Sequence, residues 1–172
     1  HLLITITPRI LRSTDSANCV ITDELLGRRE KVATEYQDLS GQAVTADPAE
    51  IHTLANLVAP SQRPLLWVGG GPVSSDAATA VDALAWRLGS PVLSTYAGRG
   101  VLPVGHPLLV DLPPHEPVAR AVMTEADLLI GLGSAFDGMT TANWTMPRPA
   151  RFVDVNLAPG GAFEPDATVT AD

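Results

Sequence analysis

The chain has 172 residues, 45% of them apolar, enough for one domain with a full core and an appendage. Its net charge of −8, from 11 basic and 19 acidic residues with no basic stripe, argues against nucleic acid and anionic membranes as partners. A single cysteine, Cys19, excludes an internal disulfide framework and a multi-cysteine metal site. Only 17% of the residues are charged, below the roughly 25% usual for globular proteins. Much of the surface is therefore expected to be shared, in a homo-oligomer or within a larger protein. No apolar run approaches the ~20 residues that cross a membrane, and the N-terminus carries no signal pattern. The expectation is a soluble, cytoplasmic protein.

In chain order, residues 1–11 are β-branched and partly alternating, which predicts a strand. Residues 12–41 are mixed, with a short helix predicted over 22–36, and this region reads as a linker or a severed edge. Composition changes at Thr45. Asp47 can cap a helix, with Pro48 at its first position and Glu50 at its third. Ile51, Leu54, Ala55 and Val58 then recur at helical spacing until Pro60. Residues 65–68 read as a buried strand, and Gly69-Gly70-Gly71 turns the chain tightly. Ser75 or Asp76 can cap an Ala-rich helix over 77–88, which Gly89 ends.

Residues 91–94 are a second strand. Residues 95–110 form a Gly/Pro loop that closes in a short turn at 108–110. A short helix over 116–124 leads to a strand over 126–132, ended by Gly131-Leu132-Gly133-Ser134. Residues 140–144 are irregular or one helical turn, and residues 151–155 and 167–170 are the last strands. Strands separated by helices at this spacing require parallel pairing and right-handed crossovers. The fold class is α/β: a doubly wound parallel sheet with helices on both faces.

In such a sheet ligands sit beyond the C-terminal ends of the strands. Those ends carry Gly69, Gly70 and Gly71; Arg99 and Gly100; Gly131, Gly133 and Ser134; and Asp154 and Asn156. A strand, a glycine turn and a helix N-terminus make an anion pocket, so a nucleotide phosphate is the simplest ligand. Arg99 suits a diphosphate or is a solvated loop arginine; Asp154 suits a ribose or is an exposed cap or turn residue; Phe136 packs on a ligand's ring or in the core. The motif is imperfect, because Ser74 stands where G-x-G-x-x-G has its third glycine. The other reading is that the glycines only let strand and helix pack closely. Trp67, Trp86 and Trp144 read most simply as core or interface, and His106 and His115 as structural. No nucleophile elbow, Cys–His pair or metal-ligand spacing is present in the sequence.

Eight ordered pieces carry a resemblance. They are Asp47-Pro48-Ala49-Glu50; Arg63-Pro64-Leu65-Leu66-Trp67-Val68 with the three glycines; Gly89-Ser90-Pro91-Val92-Leu93-Ser94-Thr95; Gly98-Arg99-Gly100 through His106-Pro107-Leu108; Glu125-Ala126-Asp127-Leu128-Leu129-Ile130-Gly131-Leu132-Gly133; Phe136-Asp137; Phe152-Val153-Asp154-Val155-Asn156; and residues 168–172. Residues 46–172 thereby resemble the central domain of thiamine-diphosphate-dependent enzymes of the acetolactate synthase and decarboxylase group. That domain is Rossmann-like, of the DHS-like NAD/FAD-binding type. Residues 1–45 resemble the last strand and linker of the preceding domain.

The resemblance implies a three-domain transferase or lyase acting on 2-keto acids, in which the central domain does no chemistry. In relatives it holds a non-reacting FAD, an ADP, or nothing. The glutamate that activates thiamine belongs to the domain before, and the Gly-Asp-Gly site for magnesium and diphosphate to the domain after. No Gly-Asp-Gly occurs in these 172 residues, so they are not expected to assemble thiamine diphosphate alone. FAD-binding relatives carry Arg-Phe-Asp-Asp-Arg where this chain has Ala135-Phe136-Asp137-Gly138-Met139, which counts against FAD. Their Asp-x-Asp is Asp154-Val155-Asn156 here. The glycine turns and Arg99 remain for FAD or ADP. Two alternatives stay open: a self-standing NAD-dependent oxidoreductase, and a purely structural oligomerisation module.

Overall fold

The computed structural model of the protein describes residues 44–158, 161 and 163–171. The strand expected over residues 1–11, the segment 12–41 with its helix at 22–36, and Cys19 lie outside the described residues. Helix α1 (Pro48–Val58) begins as its sequence dictates: Asp47 accepts a hydrogen bond from the Ala49 N–H at 2.8 Å, with Pro48 in the first turn. Glu50, expected as part of that helix start, accepts the N–H of Thr170 at 3.0 Å. Helix α1 thus grips the strand at Thr170.

The strands are β1 (Pro64–Val68), β2 (Val92–Ser94), β3 (Leu109–Val110), β4 (Leu128–Leu132), β5 (Phe152–Asn156) and β6 (Ala167–Thr170). Among the described residues they form one sheet in the order β3-β2-β1-β4-β5-β6, parallel at every pairing. The order steps outward from β1 in one direction, then from β4 in the other, which is the doubly wound arrangement. Side chains alternate between two faces. Leu66, Val68, Ile130 and Val153 pack with Val81 and Ala85 of α3 (Ala78–Leu88) and with Leu54 and Val58 of α1. Leu65, Trp67, Leu129 and Phe152 pack on the other face with Ala119 and Met123 of α4 (Pro117–Glu125). Helices therefore cover both faces.

Two expectations are corrected. The glycine turn does not run into the long helix. Gly71–Ser74 closes a single turn, α2, and α3 starts later, at Ala78, with Ala77 before it and no side-chain cap from Ser75 or Asp76. The cause is local: Asp76 takes the left-handed conformation (φ 54°), which breaks the helix between the two pieces. The turn expected at 108–110 contains β3, a two-residue edge strand paired with β2. Of the three tryptophans expected in core or interface, Trp67 is in the core, while Trp86 and Trp144 are 56% and 64% exposed in the described chain and so are not core. The C-terminus of α3 behaves as its sequence implies. Gly89 is left-handed (φ 59°), and the N–H groups of Gly89 and Ser90 bond to the carbonyls of Trp86 and Ala85.

Residues 140–144 form neither plain coil nor an ordinary helical turn. Ala142, Asn143 and Trp144 are all left-handed, with φ of 50°, 53° and 60°. The turn is held by Thr141, whose carbonyl accepts from the N–H groups of Thr145 and Met146.

Asp127, just before β4, clasps the approach to β1. It accepts from the Ser61 hydroxyl and from the N–H groups of Gln62 (2.8 Å) and Arg63 (3.1 Å), with Arg151 at 3.8 Å. The Ser61 hydrogen bond foremost, then the Gln62 amide, the Arg63 amide and the charge of Arg151, hold this carboxyl down to about 2 against a weaker opposing effect of burial. Its folded value lies below the unfolded one, so its stabilisation is complete above about pH 4 and is lost as pH falls through about 2. The group is about a quarter exposed, so screening limits the effect to about 1–2 kcal/mol. Urea unfolding of Asp127→Asn should show that deficit at pH 7 and a flatter profile than the parent between pH 5 and 2. Parallel profiles would place the acid sensitivity elsewhere.

Candidate functional site

Parallel pairing brings the C-terminal ends of the strands to one rim. Val68 lies beside both Ser94 and Leu132, and Leu132 beside Val155. The corners that follow are stitched together. Thr95 N–H donates to Val68 O at 2.9 Å, Gly69 N–H to Leu132 O at 2.9 Å, and Gly133 N–H to Val155 O at 2.8 Å. Gly71 N–H donates to Gly133 O at 3.1 Å. Sequence reasoning expected such amides to line a hollow. In the fold, those of Gly69, Gly71 and Gly133 already bond to neighbouring corners.

The glycines permit that closeness. A methyl group on Gly69 would collide with the carbonyl oxygen of Gly133, and one on Gly98 with that of Val68. Gly133 itself is left-handed (φ 55°). Gly131 leaves room for a ring: a Cβ there would stand 2.8 Å from Phe136.

The side chains expected at the site divide into two groups. Phe136 is buried, stacked on Trp67 with centroids 5.2 Å apart and edge-on to Phe152 at 5.0 Å. Ser134 is buried below it; its hydroxyl accepts from the Trp67 indole N–H at 2.9 Å and from the Phe136 amide at 3.3 Å. Asn156 donates to the Ser134 carbonyl at 3.0 Å and accepts from the Leu157 amide. Asp154 is 1% exposed on β5, opposite Gly131 and Thr168. These four turn inward. Arg99 and Gly100 are exposed in the turn after β2, where Gly100 is left-handed (φ 91°), and Gly71 is exposed in the β1 corner.

One pairing at this rim was not foreseen. Tyr96 Oη lies 3.1 Å from His115 Nδ1, and His115 Nε2 lies 3.9 Å from Glu116. The signal was topological: β3 ends at this rim and α4 starts from it, so the connection between them brings His115 back beside β2. Among the described residues, no group of three His, Cys, Asp or Glu is placed to hold a metal ion. No described helix is long and apolar enough to cross a membrane.

Comparison with known proteins adds family evidence to this geometry. A family model described as the thiamine pyrophosphate enzyme, central domain, matches residues 51–168. The acetolactate synthase of Mycobacterium leprae (strain TN) is 34% identical over 127 residues, 71% of this chain and 20% of that protein. The acetolactate synthase large subunit of Corynebacterium glutamicum is 31% identical over 127 residues, again 71% and 20%. The 3D-(3,5/4)-trihydroxycyclohexane-1,2-dione hydrolase of Lacticaseibacillus casei is 31% identical over 133 residues, 72% and 20%. The chain spans about one fifth of the length of these relatives.

Proposed function

The chain belongs to the family of thiamine pyrophosphate enzyme central domains, and from that premise we propose that it is the middle part of a thiamine-diphosphate-dependent enzyme of acetolactate-synthase type. The observation that carries this reading is the family match over residues 51–168. In it, residues 1–45 end a preceding domain and residues 46–172 are the central one. The whole protein is a cytoplasmic homo-oligomer, dimer or tetramer, that decarboxylates or joins 2-keto acids as a transferase or lyase. The central domain does no chemistry and serves as scaffold between its neighbours. In this reading thiamine diphosphate and its magnesium belong to the flanking domains. The self-standing NAD-dependent oxidoreductase is not favoured, because the chain has a family of another kind.

The test is the sequence encoded on either side. A glutamate-bearing strand upstream and a Gly-Asp-Gly motif downstream are expected. Their absence from both flanks would overturn the assignment of the whole protein.

A nucleotide at the rim is a finer part of the same proposal. Arg99 and Gly100 are exposed there, and a guanidinium pairs well with a diphosphate. Ser134, Phe136, Asp154 and Asn156 shape the floor beneath, with Gly69, Gly70, Gly71, Gly131 and Gly133 as its backbone. The residues present fit the diphosphate of ADP better than FAD, whose relatives carry arginines at the positions of Ala135 and Met139. Calorimetric titration should give heat with ADP and none with FAD or NAD. Arg99→Ala should weaken ADP binding roughly tenfold, the worth of one charge-assisted contact. No heat with any of the three, well above micromolar concentration, leaves a purely structural domain.

A further inference from the structure

The segment between β2 and β3 is tied down by one imidazole. His106 is nearly buried, with 9% of its side chain exposed. Its Nδ1 accepts the N–H of Leu108 at 3.2 Å. A backbone N–H can only donate, so Nδ1 carries no proton, and the neutral ring holds its hydrogen on Nε2. That nitrogen lies 2.9 Å from Asp82 Oδ1 on α3 and donates to it. The ring also meets Trp86 of α3 edge-on, with centroids 5.6 Å apart. The backbone of the same residue is engaged as well. His106 N–H donates to Pro103 O, and His106 O accepts from the Leu109 N–H at the start of β3.

We propose that His106 is a proton-operated latch: neutral, it fastens the segment 95–110 to α3 and to the start of β3, and protonation of Nδ1 releases the Leu108 amide. A second proton on the ring would face the Leu108 N–H, donor against donor, so one of the two must turn away. The Asp82 contact survives protonation and strengthens, so the ring stays anchored to α3 and the chain beyond His106 gives way. What gives way is small and defined. Leu108 O accepts the Val92 N–H at 2.7 Å, and β3 is held to β2 by two residue pairs only. Among the described residues Asp82 is the one carboxylate ion-paired with the ring. The other charged side chains of these two elements and their end are Arg87 on α3, and Arg99 and Asp111 on and just past the segment.

Amide hydrogen exchange by NMR on the full chain, with the His106 ring followed in the same samples, tests the latch between pH 8 and 5, the range in which histidine changes charge. After correction for the intrinsic exchange rate, protection at Leu108 and Val92 should fall roughly five- to tenfold, the size of one backbone hydrogen bond, in step with the ring. Ser90, whose N–H bonds to Ala85 O at the end of α3, should show no step. In His106→Asn the amide oxygen can accept the N–H two residues on without titrating, so protection at Leu108 should become independent of pH. Unchanged protection at Leu108 while the ring titrates overturns the proposal. An equal step at Ser90, or the same step in His106→Asn, also overturns it.

Discussion

Gly69→Ala should destabilise the protein by roughly 3 kcal/mol or more, because the added methyl runs into the main chain of the Gly133–Ser134 corner. Its Cβ would overlap the Gly133 carbonyl oxygen and stand 2.6 Å from the Ser134 Cα. A flexible side chain can swing aside; a carbonyl cannot. Retreat of either corner is blocked by the bonds that join them, Gly69 N–H to Leu132 O and Gly71 N–H to Gly133 O. Gly100→Ala is the matching control. Gly100 has φ 91°, but nothing lies within 4 Å of a Cβ there, so only the conformational penalty of about 1–2 kcal/mol applies. Urea unfolding of both variants separates close packing from backbone freedom. Equal losses would mean that the corners of β1 and β4 are not interlocked.

Trp67→Ala should cost about 3–5 kcal/mol, the range for deleting a fully buried aromatic side chain. Trp67 is 0% exposed, in the centre of the face covered by α4. It is also the platform on which Phe136 stacks, 5.2 Å away and tilted by 21°. Phe136 holds a left-handed backbone (φ 44°), a conformation that an aromatic residue keeps only when its surroundings over-determine it. Losing the indole removes both the stack and the N–H bond to Ser134. Trp67→Phe keeps the ring and loses that N–H, and should cost about 1–2 kcal/mol. Chemical denaturation monitored by circular dichroism reads both. A loss below about 1 kcal/mol for Trp67→Ala would remove Phe136 from the core.

The sheet was legible because its signals are local and redundant. Four apolar residues at 65–68, the capped start at Asp47-Pro48 and the left-handed stop at Gly89 each name their element without help from distant chain. What escaped depends on partners far away in sequence. Nothing in the neighbouring sequence marks Asp127 as a clasp; its partners Ser61, Gln62 and Arg63 lie more than 60 residues earlier. β3 has two residues and no period to detect; Leu109 and Val110 become a strand because Val92 and Leu93 offer a neighbour. Phe136 reads from sequence as either a partner for a ligand's ring or a core residue, and in the fold it is core. Gly131, two residues inside the glycine corner before it, opens the space that draws the ring inward. At the rim the residue types were readable and their directions were not, since inward or outward is settled by tertiary packing.

The bond from Glu50 to the Thr170 amide spans 120 residues, and it sets an order of events during synthesis. Helix α1 is made well before β6 and cannot complete its docking until that strand has left the ribosome. At typical elongation speeds that delay is on the order of 10 s. Over this interval Leu54, Leu57 and Val58 have no sheet edge to cover, so they are free to be engaged by a chaperone or by a neighbouring nascent chain. When β6 arrives, the start of α1 and the end of β6 come side by side.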